Sequence, residues 1–188
     1  MELHVSLDRP LPKPTDGAYV GARILEALVE ARLALGFLGE GLTRDAAGKA
    51  FQAWRALLAA LLRLELDKLK AVAKTEEERR WLVEKAIPRV PTSRMKALSQ
   101  MLEKVGHAGI SSWTDKALDL HDYQYNGPDP DVAMSKYTSR EEAAVDIYLL
   151  IRELVKRIKE LKQRLAWNAQ LEEALNDLET RLPPNTTA

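Results

Sequence analysis

The sequence predicts an all-α protein: a four-helix-bundle core with two or three shorter helices inserted between its halves. Apolar residues recur at three- and four-residue steps in several long stretches, nowhere in strict alternation. Two Ser/Thr-x-x-Glu capping boxes open helical stretches, and prolines and glycines cluster between the periodic segments. A length of 188 residues suits one core.

Residues 1–15 read as an extended leader, because Pro10, Pro12 and Pro14 cannot donate regular backbone hydrogen bonds. Thr15 or Asp16 is placed to cap the first helix. That helix spans 17–38, with Val20, Ile24, Leu28, Ala31 and Leu35 on one stripe, and Gly39 and Gly41 stop it. Thr43 opens a second helix, expected to run to residue 72. It is apolar around so much of its circumference between Ala50 and Leu64 that it should be the most buried element. Thr75 and Glu78 form the first capping box, and the short helix behind them should run to 87 and end at Pro88 and Pro91.

Thr92 or Ser93 begins the next helix, with Met95, Leu98, Met101, Leu102 and Val105 inward and Gly106 as its left-handed terminal residue. A further helix is expected from Ser112 to Tyr125. Residues 126–131, with an Asn-Gly pair and two prolines, form the clearest loop. Ser139 and Glu142 make the second capping box, heading the most strongly amphipathic helix, in which Ile147, Ile151, Leu154, Ile158, Leu161 and Leu165 line up. Leu171, Leu175, Leu178 and Leu182 mark a last helix, so that one helical domain spans 16–182 and residues 183–188 form a disordered tail.

Composition excludes several kinds of function. Lysine plus arginine equals aspartate plus glutamate at 28 each, so no global positive field attracts nucleic acid or an anionic membrane, and any such contact must be local. Without cysteine there is no disulfide, thiolate nucleophile or zinc finger. Three dispersed histidines point to no metal site, and no cofactor is expected. No glycine-rich phosphate loop, Gly-x-Ser-x-Gly elbow or His-Glu-x-x-His motif occurs. The apolar helices are interrupted by charges and the first residues lack a signal-type apolar run, so a cytoplasmic location without membrane contact is expected. Abundant Glu, Lys and Arg is compatible with a thermophilic source.

The stretch with the densest chemistry runs from Trp113 to Gly127. His121 is a candidate general base because imidazole titrates near neutral pH, and Lys116 could neutralise charge on a phosphate. On an ideal helix the two point about 140° apart, so they do not share a face. Asp122, Tyr123, Tyr125 and Asn126 are the accompanying binding candidates. The simpler structural reading has His121 and Tyr125, four residues apart, stacking at the helix end and hydrogen-bonding into the loop from Asn126 to Asp131. His107 and His4 have no partner pattern. The basic run Lys156, Arg157, Lys159, Lys162 and Arg164 reads as a solvated face paired with Glu172, Glu173 and Asp177. Trp54, Trp81 and Trp113 read as core or interface residues.

Two stretches resemble a known family: Asp45-Ala-Ala-Gly-Lys-Ala-Phe-Gln-Ala-Trp-Arg-Ala-Leu-Leu-Ala-Ala-Leu-Leu62, and Leu120-His-Asp-Tyr-Gln-Tyr-Asn-Gly127 with the helix that follows. Together they resemble the archaeal PaREP repeat-encoded family, itself similar to the HEPN helical-bundle superfamily, over roughly 16–162. The resemblance implies a HEPN-like bundle, usually a homodimer, among RNA-cutting toxins and effectors and inactive partners of nucleotidyltransferases. Active members carry an arginine, four to six residues, then a histidine; the matching segment here is Lys116-Ala-Leu-Asp-Leu-His121, with lysine in the arginine's place. Lysine lacks the planar fork that grips two phosphate oxygens. The expectation is therefore a non-catalytic module that binds a nucleotide, RNA or protein partner in a toxin–antitoxin or defence setting. The alternatives are a metal-independent endoribonuclease using Lys116 and His121, and a structural assembly protein.

Overall fold

In a computed structural model that describes residues 10–184, every regular element is a helix. The residues 1–9 of the leader, His4 among them, and residues 185–188 of the tail lie outside the described residues. The long helices are α1 (Tyr19–Gly39), α2 (Thr43–Leu64), α7 (Ile110–Asn126) and α8 (Arg140–Leu161). Between them lie α3 (Leu66–Val72), α4 (Glu76–Trp81), α5 (Ile87–Arg89) and α6 (Met95–Lys104), and α9 (Ala169–Arg181) closes the chain. Among the described residues no helix is long and apolar enough to cross a membrane.

Helix α2 is the centre, as its apolar circumference predicts: it packs on α1, α7 and α8, and each residue from Ala56 to Leu62 is buried. Trp54 is fully enclosed, and its indole Nε1 donates to Thr114 Oγ1 of α7 at 3.0 Å. The Thr114 hydroxyl in turn donates to the Ile110 carbonyl at 2.8 Å, so this buried polar group is satisfied on both sides. Helix α9 lies against α1. The leader's Pro14 carbonyl accepts from Arg63 Nε at 2.5 Å.

Both capping boxes form with a shared variation. Ser139 Oγ accepts from the Glu142 amide at 3.2 Å, while the Glu142 carboxylate returns to the amide of Thr138, one residue before the cap. Thr75 and Glu78 do the same around Lys74.

Four boundaries differ from the sequence reading. The helix expected over 43–72 breaks at Glu65, whose carboxylate is 2% exposed and holds two cationic side chains, Arg164 at 2.6 Å and Lys68 at 2.8 Å, together with the His107 ring at 3.1 Å. Burial alone would raise this carboxyl, but those hydrogen bonds outweigh it and bring it down to about 2. The short helix after Thr75 widens into a π segment, Leu82–Ala86, and continues through Pro88 to Arg89. Pro88 sits in the first turn of α5, where a missing N–H does no harm, and Val90 in the left-handed region ends it. Helix α7 begins at Ile110, two residues early, behind a left-handed Gly109. Helix α8 tightens into a 3-10 turn at Lys162–Arg164 instead of reaching Leu165.

Four of the five residues of the basic run are paired, Lys162 with the expected Glu172 and the others with carboxylates outside the expected set. Lys162 meets Glu172 and Lys159 meets Glu179, while Arg157 binds Glu153 and Arg164 turns back to Glu65.

Candidate functional site

The site is built where the C-terminal half of α7 crosses α2. His121 projects toward α2 and stacks on Phe51, with ring centroids 4.2 Å apart and planes 27° from parallel. Tyr125, one turn on, meets the imidazole edge-on at 5.1 Å. His121 thus contacts two aromatic rings, the Tyr125 contact being the one its spacing predicts, but neither side chain hydrogen-bonds into the loop from Asn126 to Asp131.

Arg44 of α2 fixes the end of α7 by donating to the carbonyls of Gln124, at 2.9 Å, and Tyr125, at 2.5 Å, acceptors that a helix terminus leaves without partners. Gly127 then turns the chain with φ 68° and ψ −159°, a conformation open essentially only to glycine. Gly127→Ala is expected to destabilise the chain by about 1–3 kcal/mol through backbone strain. A Cβ there would meet Arg44 only at ordinary contact distance, so strain and not collision is the cause. Urea unfolding of the variant against the parent measures it.

The loop beyond Gly127 is organised by Asp129, whose carboxylate accepts from the amides of Asp131, Ala133, Met134 and Ser135. Hydrogen bonds from Met134 and its neighbours hold this carboxyl below its ordinary range.

Lys116 and His121 are not brought together. Lys116 turns to α8, where its Nζ lies 2.5 Å from Asp146 Oδ1 and 5.9 Å from the Trp113 ring centre. Asp146 also accepts from the Tyr137 hydroxyl at 2.9 Å, and Tyr137 packs edge-on against Tyr123 at 5.5 Å. Tyr123 is 1% exposed and belongs to the core. Of the remaining candidates, Asp122 and Tyr125 are exposed, Tyr125 at 65%. Asn126 uses its amide to tie the Asp122 carbonyl to that of Met134.

A cation that the sequence reading passed over lies beside His121 instead. Arg55, one helical turn beyond Phe51, holds its guanidinium carbon 5.9 Å from the Phe51 ring centre. It is the lone charged residue in the apolar run 53–62, which is the one signal that could have singled it out. Burial lowers its basicity, an effect opposed by Glu26 and reinforced by Arg23 on α1. Burial likewise depresses His121, with Asp122 opposing and Arg55 adding to the fall, so that the imidazole is neutral at physiological pH.

The hydrogen bonding of His121 is unusual. Its Nδ1 is enclosed and has no partner, while Nε2 is not enclosed. A neutral ring with the proton on Nε2 avoids burying an unmet N–H, so Nε2–H is the form this packing favours.

A groove of about 880 Å³ lies elsewhere, between Trp113, Leu149, Val155 and Leu182, and contains none of the residues around His121. No group of acidic and histidine side chains among the described residues could hold a metal ion.

No curated protein and no solved structure matches the chain. A family model does match, over residues 22–148, which is more than half of the chain and takes in His121, Phe51, Arg55, Arg44 and the Asp129 loop. The chain belongs to the archaeal PaREP1/PaREP8 family.

Proposed function

We propose that the chain is a HEPN-like helical module that acts by binding a nucleotide or RNA at the His121 end of α7, without cleaving it. The observation that carries this reading is the enclosed, partnerless Nδ1 of His121. A histidine acting as general base takes a proton on its outer nitrogen and becomes an imidazolium, whose inner N–H needs an acceptor to orient and stabilise it. Here the inner nitrogen faces the interior with nothing to receive that bond. Lys116, the other half of a catalytic pair, is held by Asp146 on the opposite side of the helix.

The test is to incubate the purified chain with end-labelled single-stranded and hairpin RNAs in metal-free buffer, following binding by gel shift and integrity by denaturing gel. RNA retained intact by both the parent and His121→Ala is expected in the integrity assay, with weaker binding by the variant. Cleavage by the parent that disappears in His121→Ala would make the chain a ribonuclease and reject this reading, as would failure of the parent to bind either RNA.

A further inference from the structure

The side chains around Phe51 leave one set of hydrogen-bonding groups unused. Each nitrogen of Arg23 already has a partner, in Glu26, the Tyr19 hydroxyl and the Pro88 carbonyl. Lys49 lies 2.9 Å from Glu30. Arg55 lies within electrostatic range of Glu26 and Glu30, yet its guanidinium makes no hydrogen bond or ion pair among the described residues. None of its nitrogens is enclosed. A partly buried guanidinium normally has an acceptor, because the desolvation of a charge is offset only by pairing. On the same Phe51 ring sits His121 with an Nε2 that also has no partner, and the exposed Tyr125 ring meets the imidazole edge-on.

We propose that Arg55 and His121, set around the Phe51 ring, form an anion site that receives a phosphodiester group, with Arg55 supplying the charge that Lys116 cannot bring and Nε2–H of His121 a second donor. This rests on the binding function proposed above and names the group recognised. The planar fork of arginine suits two oxygens of one phosphate. The charge balance selects a diester. Glu26 and Glu30 on α1 act on Arg55 and Asp122 on α7 acts on His121, so the one unpaired cation here matches a single negative charge and not two. Exposed Tyr125 is positioned to stack on an adjoining base.

The test uses the full chain and three probes: a uridine dinucleotide with one phosphodiester, uridine, and inorganic phosphate. In NMR titrations of the parent, the dinucleotide is expected to move the Arg55 Nε–H and His121 ring resonances, while uridine and phosphate at equal concentration leave them in place. In RNA gel shifts, Arg55→Met, which keeps an apolar stem on Phe51, should lose at least tenfold in affinity, and Lys116→Met should bind like the parent. Should Arg55→Met fail to fold, the titration of the parent decides alone. RNA bound equally well by Arg55→Met, or resonances that respond as fully to inorganic phosphate, would overturn this assignment while leaving the RNA-binding function standing. A parent chain that binds no RNA would overturn both.

Discussion

Trp54→Ala is expected to lower the stability of the chain by about 3–5 kcal/mol, the range for removing a large aromatic side chain from an enclosed site. Trp54 is fully buried, midway along a helix that touches α1, α7 and α8, so no single neighbour can move to fill the space without disturbing another. The loss also deprives Thr114 of its indole donor, although the hydroxyl keeps its own bond to Ile110. For a domain of this size each kcal/mol moves the melting temperature by about 2–4 °C, so a fall of about 10 °C should appear in thermal melts. Trp54→Phe, which retains most of the ring and loses the N–H, should cost about 1–2 kcal/mol. A Trp54→Ala protein that melts within a few degrees of the parent would mean that α2 is not the packed centre described here.

The second large effect belongs to Glu65. Its carboxylate joins the α2–α3 break to Lys68, to His107 in the turn before α7, and to Arg164 after α8, so it links parts of the chain that are distant in sequence. A folded-state value of about 2 against an ordinary 4.5 corresponds to about 3 kcal/mol of stability, at about 1.4 kcal/mol per unit. Because the folded value is depressed, that contribution is fully present above about pH 4.5. It fades as pH falls toward 2, where the unfolded chain already holds the proton that the folded chain refuses. Glu65→Gln keeps the shape but not the charge, and should be about 2–3 kcal/mol less stable than the parent at pH 7. The difference should shrink on going to pH 3. Urea unfolding at both pH values checks this: a gap that stays constant would show that the carboxylate's charge is not what holds the three partners. Glu103, Glu142 and Glu172, also held below their ordinary range by hydrogen bonds, add to acid sensitivity in both proteins and cancel in the comparison.

The long helices were legible in the sequence because local periodicity determines them; of the four only α8 starts with a side-chain cap, and the cap position of α1 falls on Ala18 and not on the expected Thr15 or Asp16. Ser139, Thr75 and Asn168 each cap through their own side chains, and the apolar stripes of α1, α2 and α8 coincide with what is buried. The features that escaped depend on distant residues. Nothing near Glu65 announces a break, since the partners that draw it inward include Arg164, ninety-nine residues away. The π segment before Pro88 has no local signature of the kind that a capping box supplies.

The site divides along the same line. Helix geometry alone separates Lys116 from His121 and brings Tyr125 beside the imidazole. That Phe51 forms the floor under His121, and Arg55 flanks it, is decided by the packing of α2 against α7. Phe51 read as core because it is core; its second face, turned to the imidazole, is invisible to a pattern that scores only apolar spacing.

The position of α2 also governs the order in which the protein can assemble during synthesis. Among the described helices that this one packs on, α1 is made before it, while α7 and α8, which cover the rest of its apolar circumference, are translated only afterwards. For that interval a nascent chain carries a greasy, half-clad rod, a transient liability for sticking to other chains that later residues remove.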